Sequence, residues 1–153
     1  MNTPHFQMSK VIILVADASR ARLLAVESPT GPLMELESLV NPAARLRQQD
    51  LSSDRQGRSF QSAGTGRSAM AETTTPKEQE TAVFARELTQ NLQERRKQGE
   101  LEKLYVVAPP AFLGELRKHL GAEVASVVVA EIDKDYTRLD ARELREKLPQ
   151  YLK

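Results

Sequence analysis

Cysteine and tryptophan are absent from this chain of 153 residues, and the only histidines are His5 and His119. Without cysteine there is no disulfide framework, no thiolate nucleophile and no Cys-ligated zinc. Two histidines so far apart argue against a histidine-rich metal centre. Aromatic residues make up 5% of the chain, too few for base stacking to be a main recognition device. Charge of one sign is also lacking: the formal net charge is +1, so any contact with nucleic acid has to use a local patch. Long apolar runs are missing as well. The N-terminal run Val11–Ala16 is cut short by Asp17, too short for a signal h-region or a membrane span. These absences imply a cytoplasmic protein without membrane insertion, with residues 1–9 a flexible leader and residues 10–153 one α/β domain. Nothing in the composition calls for a cofactor.

The most unusual stretch that is present is Asn41–Glu72. It has no usable apolar period, and across Asn41–Met70 it holds Arg45, Arg47, Arg55, Arg58 and Arg67 against Asp50 and Asp54, with no lysine. We read residues 41–74 as a long Arg/Gly/Ser-rich loop. A loop of this length inside a domain is uncommon and is usually functional or disordered.

The flanking sequence is regular. Lys10–Ala16 is β-branched and continuously apolar, as in a strand buried on both faces. Asp17-Ala18-Ser19-Arg20 reads as a turn, and Ala21–Glu27 as an antiparallel second strand. Leu33–Val40 follows as a third, with Met34 and Leu36 alternating against Glu35 and Glu37. After the loop, Thr75, Pro76 and Glu78 form a helix start with a capping box, and Gly99 stops that helix. Leu104–Ala108 is a short buried strand, and Pro110 opens a helix with Leu113, Leu116 and Leu120 on one face. Val124–Ile132 reads as a last strand buried on both sides, and Asp140 with Glu143 caps a final helix. The order β-β-β, loop, α-β-α-β-α implies a mixed five-stranded sheet covered by helices, in the manner of ribonuclease H-like folds.

Three chemistries are open to these residues. In a metal-dependent nuclease, carboxylates at strand ends would clamp metal ions; Asp17 and Asp133 fit, but the fourth strand runs into Ala108-Pro109-Pro110, without a carboxylate. Hydrolysis by a Ser-His device has serines in the loop, including Ser52, Ser53 and Ser59, but no spacing that supports it. Anion binding has the best materials. Arginine grips phosphate with a planar fork, and glycine lets backbone approach closely, as Arg55-Gln56-Gly57-Arg58-Ser59 and Gly64-Thr65-Gly66-Arg67-Ser68 would allow. Neither is a P-loop. A solvated loop, or one docked on a sister subunit, accounts for the same residues.

Val15-Ala16-Asp17-Ala18-Ser19-Arg20-Ala21-Arg22, Asn41-Pro42, Asp54-Arg55-Gln56-Gly57-Arg58-Ser59-Phe60, Glu78-Gln79-Glu80, Val107-Ala108-Pro109-Pro110 and Glu131-Ile132-Asp133-Lys134-Asp135 resemble the bacterial host-attachment protein family, over nearly the whole chain. That family is in turn similar to the middle domain of eukaryotic and archaeal class I release factors and of Pelota. The resemblance places Gly66-Arg67-Ser68-Ala69 over part of the Gly-Gly-Gln tip of release factors. Thr65 stands for its first Gly and Arg67 for its Gln, so hydrolytic release is not carried over. What the resemblance implies is a non-catalytic domain whose basic loop enters an RNA or ribosomal pocket. The binding residues would be Arg47, Asp54, Arg55, Arg58, Ser59 and Arg67, supported by Asp17, Arg20, Arg22 and Asp133. A role in attachment to host cells, direct or regulatory, is the alternative that the family name implies. Homo-oligomers are a further expectation, because Ala21–Val26, read as an outer edge, carries no guarding charge.

Overall fold

The central strand of the sheet is also its most apolar. In the computed structural model, which describes residues 11–43 and 75–152, β1 (Val11–Ala16) pairs antiparallel with β2 (Arg20–Val26) and parallel with β4 (Lys103–Val107). Outside these lie β3 (Leu33–Val40), antiparallel to β2, and β5 (Val128–Ile132), parallel to β4. The order β3-β2-β1-β4-β5 is the mixed five-stranded sheet expected from the sequence. The expected leader and most of the loop lie outside the described residues.

Alternate residues of β1 enter two different cores, which is why its sequence shows no alternation. Ile12, Leu14 and Ala16 face α1 (Pro76–Lys97), α2 (Pro110–His119) and the short α3 (Ala122–Ala125), meeting Phe84, Leu88, Leu92, Leu113 and Leu116. Ile13 and Val15 face the other way, toward α4 (Ala141–Lys147) and the tail, where Leu144, Leu148 and Leu152 cover them.

The helix boundaries follow from local chemistry. Thr75 accepts from the Glu78 N–H at 3.1 Å while the Glu78 carboxylate accepts from the Thr75 N–H at 3.2 Å. Asp140 and Glu143 repeat this reciprocal cap at α4. Helix α1 ends where Gly99 takes φ +77°, allowing Gly99 N–H to reach Arg96 O and Glu100 N–H to reach Arg95 O; a Cβ would disfavour that left-handed turn. No described helix is long and apolar enough to cross a membrane.

Four sequence expectations need correction. Val124 belongs to α3, and β5 begins only at Val128. Gly121 and Ser126 flank that short helix, and Ser126 Oγ donates to Glu123 O at 2.8 Å. Nor is β5 buried on both sides: it is an edge strand, and the register shift opposite Leu104/Tyr105 leaves Val129 unpaired and 47% exposed. β2 is interior, so the edge on that side is β3. There the expected alternation also fails. Leu23 pairs with Glu37 but Leu24 pairs with Glu35, making Leu36 the extra residue of a bulge. The bulge switches parity: Glu35 emerges on the α4 side with Leu24, and Glu37 on the α1 side with Leu23.

The tail is fastened by one side chain. Arg145 donates to Gly31 O (2.8 Å), Pro29 O (3.2 Å), Pro149 O (2.8 Å) and Gln150 O (2.8 Å), joining α4, the β2–β3 turn and the C-terminal residues. Leu152 N–H adds a bond to Pro29 O. Arg145→Ala should lower unfolding stability by about 2 kcal/mol, the scale of charged-group hydrogen bonds. Arg145→Lys should recover only part of it, because an ammonium lacks the fork; urea unfolding of the three proteins measures both.

Candidate functional site

The topology gathers the chain's described candidate residues at one end of the sheet. Strands β1, β4 and β5 finish there, β2 starts there, and β3 arrives there before the chain continues past Ala43. Helix α1 must begin at the same end, since it leads from the end of β3 to the start of β4.

Asp17 closes the β1–β2 turn. Its Oδ1 accepts from the N–H groups of Ser19 (2.8 Å) and Arg20 (2.9 Å), and its own N–H donates to Arg20 O. The other oxygen, Oδ2, lies 3.1 Å from the Thr137 hydroxyl, which is 2.7 Å from Asp135 Oδ1. One hydroxyl proton thus serves two carboxylates at a residue only 5% exposed. Arg22 reaches the same loop from β2. Its Nη1 donates to Thr137 O and Leu139 O, while Nε (3.0 Å) and Nη2 donate to Glu35 Oε2. The β3 bulge is what makes that pair possible, and its other product, Glu37, accepts from Arg95 (2.9 Å) and Asn91 (3.2 Å) of α1. Arg20 and Asp133 are exposed.

Asn41, noted in the sequence only as part of Asn41-Pro42, was not among the expected site residues. It is 4% exposed, and its N–H and both side-chain polar atoms are bonded: N–H to Ser19 O (2.8 Å), Nδ2 to Ala18 O (3.0 Å), and Oδ1 accepting from Ala43 N–H (3.0 Å). It fastens the exit of β3 to the Asp17 turn. A buried polar side chain pays for its desolvation only when bonded in this way. The available signal was Asn-Pro directly after a strand, a pair that favours a self-bonded turn. Thr137 carried no such signal.

Beside Asn41 a groove of about 430 Å³ opens between Asn41–Ala43 and the first turns of α1. Pro42, Ala43, Pro76 and Val83 give it an apolar surface, with Gln79, Glu80 and Glu87 completing the lining. Val83 is 41% exposed. On the far side of α2, Arg117 donates to Glu131 Oε1 of β5 at 2.9 and 2.6 Å. That hydrogen bond raises the Arg117 pKa above its ordinary value.

Of the expected site residues, Asp17, Arg20, Arg22 and Asp133 thus share one end of the sheet, Arg22 through its reach to the loop after β5. Arg47, Asp54, Arg55, Arg58, Ser59 and Arg67 lie outside the described residues. Among the described residues no group of three or more His, Cys, Asp or Glu side chains is arranged to hold a metal ion.

Comparison with known proteins adds a family and a distant likeness. Residues 12–148 match the family model described as "Protein required for attachment to host cells". No curated protein matches the chain. Among solved structures, that of an archaeal translation termination factor is similar over 92% of this chain, at 14% identity and a TM-score of 0.48. This chain spans 35% of that one.

Removing the Asn41 side chain strands Ala18 O and the Ala43 N–H. Asn41→Ala should therefore destabilise the fold by about 2 kcal/mol, read from the urea midpoint. Amide exchange at Ala43 should accelerate by a larger factor than exchange in β1.

Proposed function

The chain belongs to the family of proteins required for attachment to host cells, matched over residues 12–148, and on that premise we propose that it is a non-catalytic, cytoplasmic binding protein. In this reading the 44–74 segment grips RNA phosphates, free or on the ribosome, through Arg47, Arg55, Arg58 and Arg67. Asp54 orients neighbouring guanidinium groups, and Ser59 adds a hydroxyl donor.

The observation that carries the reading is the way both neighbours of this segment are fixed. On one side Asn41 holds the chain to the Asp17 turn through its N–H and Nδ2, and its Oδ1 accepts from Ala43 N–H. On the other, Thr75 and Glu78 close a capping box. Two rigid ends lower the ordering penalty that a charged segment meets on binding a partner. Arginine without lysine suits bidentate contact with phosphate. The exposed Arg20, at the start of β2, adds a cation on the body at the same end. Asp17 and Asp133 support this end, Asp17 by closing the turn behind it.

The family description supports a second reading, a role in attachment to host cells, direct or through regulation. Cell fractionation separates the two: protein outside the membrane, free of lysis markers, would favour the adhesin.

Arg55→Ala/Arg58→Ala should weaken RNA co-sedimentation at low salt and reduce the slope of log K against log salt by about 1.4, two phosphate contacts on a single strand. Unaltered binding and slope would remove the segment from the interface.

A further inference from the structure

The outer side of β3 is the longer of the two open edges of the sheet. β3 runs for 8 residues against 5 for β5, and among the described residues nothing pairs with its outer side. Met34, Leu36 and Val40 along it are 36%, 40% and 53% exposed. An apolar edge of this kind is a template for a further strand unless charges or a bulge guard it. The charges here are already engaged within the chain. Glu35 is held by Arg22 and Glu37 by Arg95, one on each face of the sheet.

The bulge decides which strand fits. It puts Leu33, Glu35, Ser38 and Val40 on the α4 side, and Met34, Glu37 and Leu39 on the α1 side. Residues paired across an antiparallel edge must share a face, so a regular strand, with one unbroken alternation, matches only half of β3. A second copy of β3 matches both halves. With a two-fold axis between Leu36 and Glu37, Met34 stands opposite Leu39 of the other copy and Leu33 opposite Val40, each pair on a common face. Glu35 then meets Ser38, and no glutamate meets a glutamate. Moving the axis onto Leu36 would set Glu35 against Glu37, and moving it onto Glu37 would set that residue against itself.

We propose that β3 is a self-association edge, through which two copies of this chain pair antiparallel into one ten-stranded sheet. The bulge that defeats a regular partner is met by the same bulge in the other copy. Half-exposed Met34 and Val40 gain apolar cross-strand partners. Antiparallel pairing also sets the two Asn41 ends at opposite ends of the joined strands. This interface goes beyond the proposed RNA contacts and stands without them.

Sedimentation equilibrium of the full-length chain, without RNA, should show a dimer of 17.1 kDa chains in the micromolar range. Ser38→Glu sets a glutamate opposite Glu35 at two symmetry-related places. It should raise the dimer dissociation constant by about tenfold, the scale of two like-charged cross-strand pairs. Ser38→Lys, which sets opposite charges there, should leave the dimer at least as tight. Because the chain has no cysteine, Leu36→Cys beside the axis gives an independent reading. Its disulfide-linked dimer should form at least about tenfold faster than that of Val129→Cys on the other edge, since only the first pair is held together. Melting curves matching the unmodified chain confirm that each variant folds. A monomer throughout that range, a dimer indifferent to Ser38→Glu, or cross-linking through Leu36→Cys no faster than through Val129→Cys would each overturn the proposal.

Discussion

A strand buried on both faces leaves no place for a polar side chain along its length, and β1 is such a strand. Ile12 to Ala16 are all 1% exposed or less, divided between the α1/α2 core and the α4 core. Ionisable groups are therefore driven to where the strand stops. Asp17 is the first residue able to carry a charge, and it does so by bonding the turn that starts β2. β4 is likewise buried from Leu104 through Val107, with Tyr105 its one polar-tipped side chain there, and passes into Ala108-Pro109-Pro110. Polar chemistry in this fold is thus a matter of strand ends, edges and what is attached to them.

The edges show how that constraint is met. β3 carries two glutamates in alternation, which in a regular strand would share a face. The extra residue at Leu36 separates them, so that Glu35 takes Arg22 and Glu37 takes Arg95. One bulge thereby ties the edge strand to both layers. Such exposed pairs are individually weak, but here they position β3, and with it Asn41, close before the arginine-bearing segment in the chain. At the other edge a second bulge turns Val129 out and leaves Glu131 opposite Arg117.

What the sequence made legible was whatever depends on neighbours in the chain. Both capping boxes, the Gly99 stop and the extent of β3 follow from local residue types. The mixed five-stranded sheet follows from element order and handedness. What it hid depends on pairing across the sheet. Val127 to Val129 read as a doubly buried strand because β-branched residues say nothing about whether a sixth strand or a covering helix is present. The bulges at Leu36 and Val129 are register properties and leave no trace in a single strand's pattern. Asp17 and Arg22 could be named from turn and motif, whereas Asn41 and Thr137 tie this end together through partners more than twenty and one hundred residues away.

The account rests on a body that is complete without its arginine segment and exists to hold that segment by its ends. The most direct test replaces residues 44–74 with a Gly/Ser linker of equal length and measures, on one preparation, urea unfolding and retention on RNA. The account predicts a cooperative transition shifted by no more than about 1 kcal/mol, with RNA retention abolished. A body that no longer folds, or RNA binding that survives intact, would contradict it.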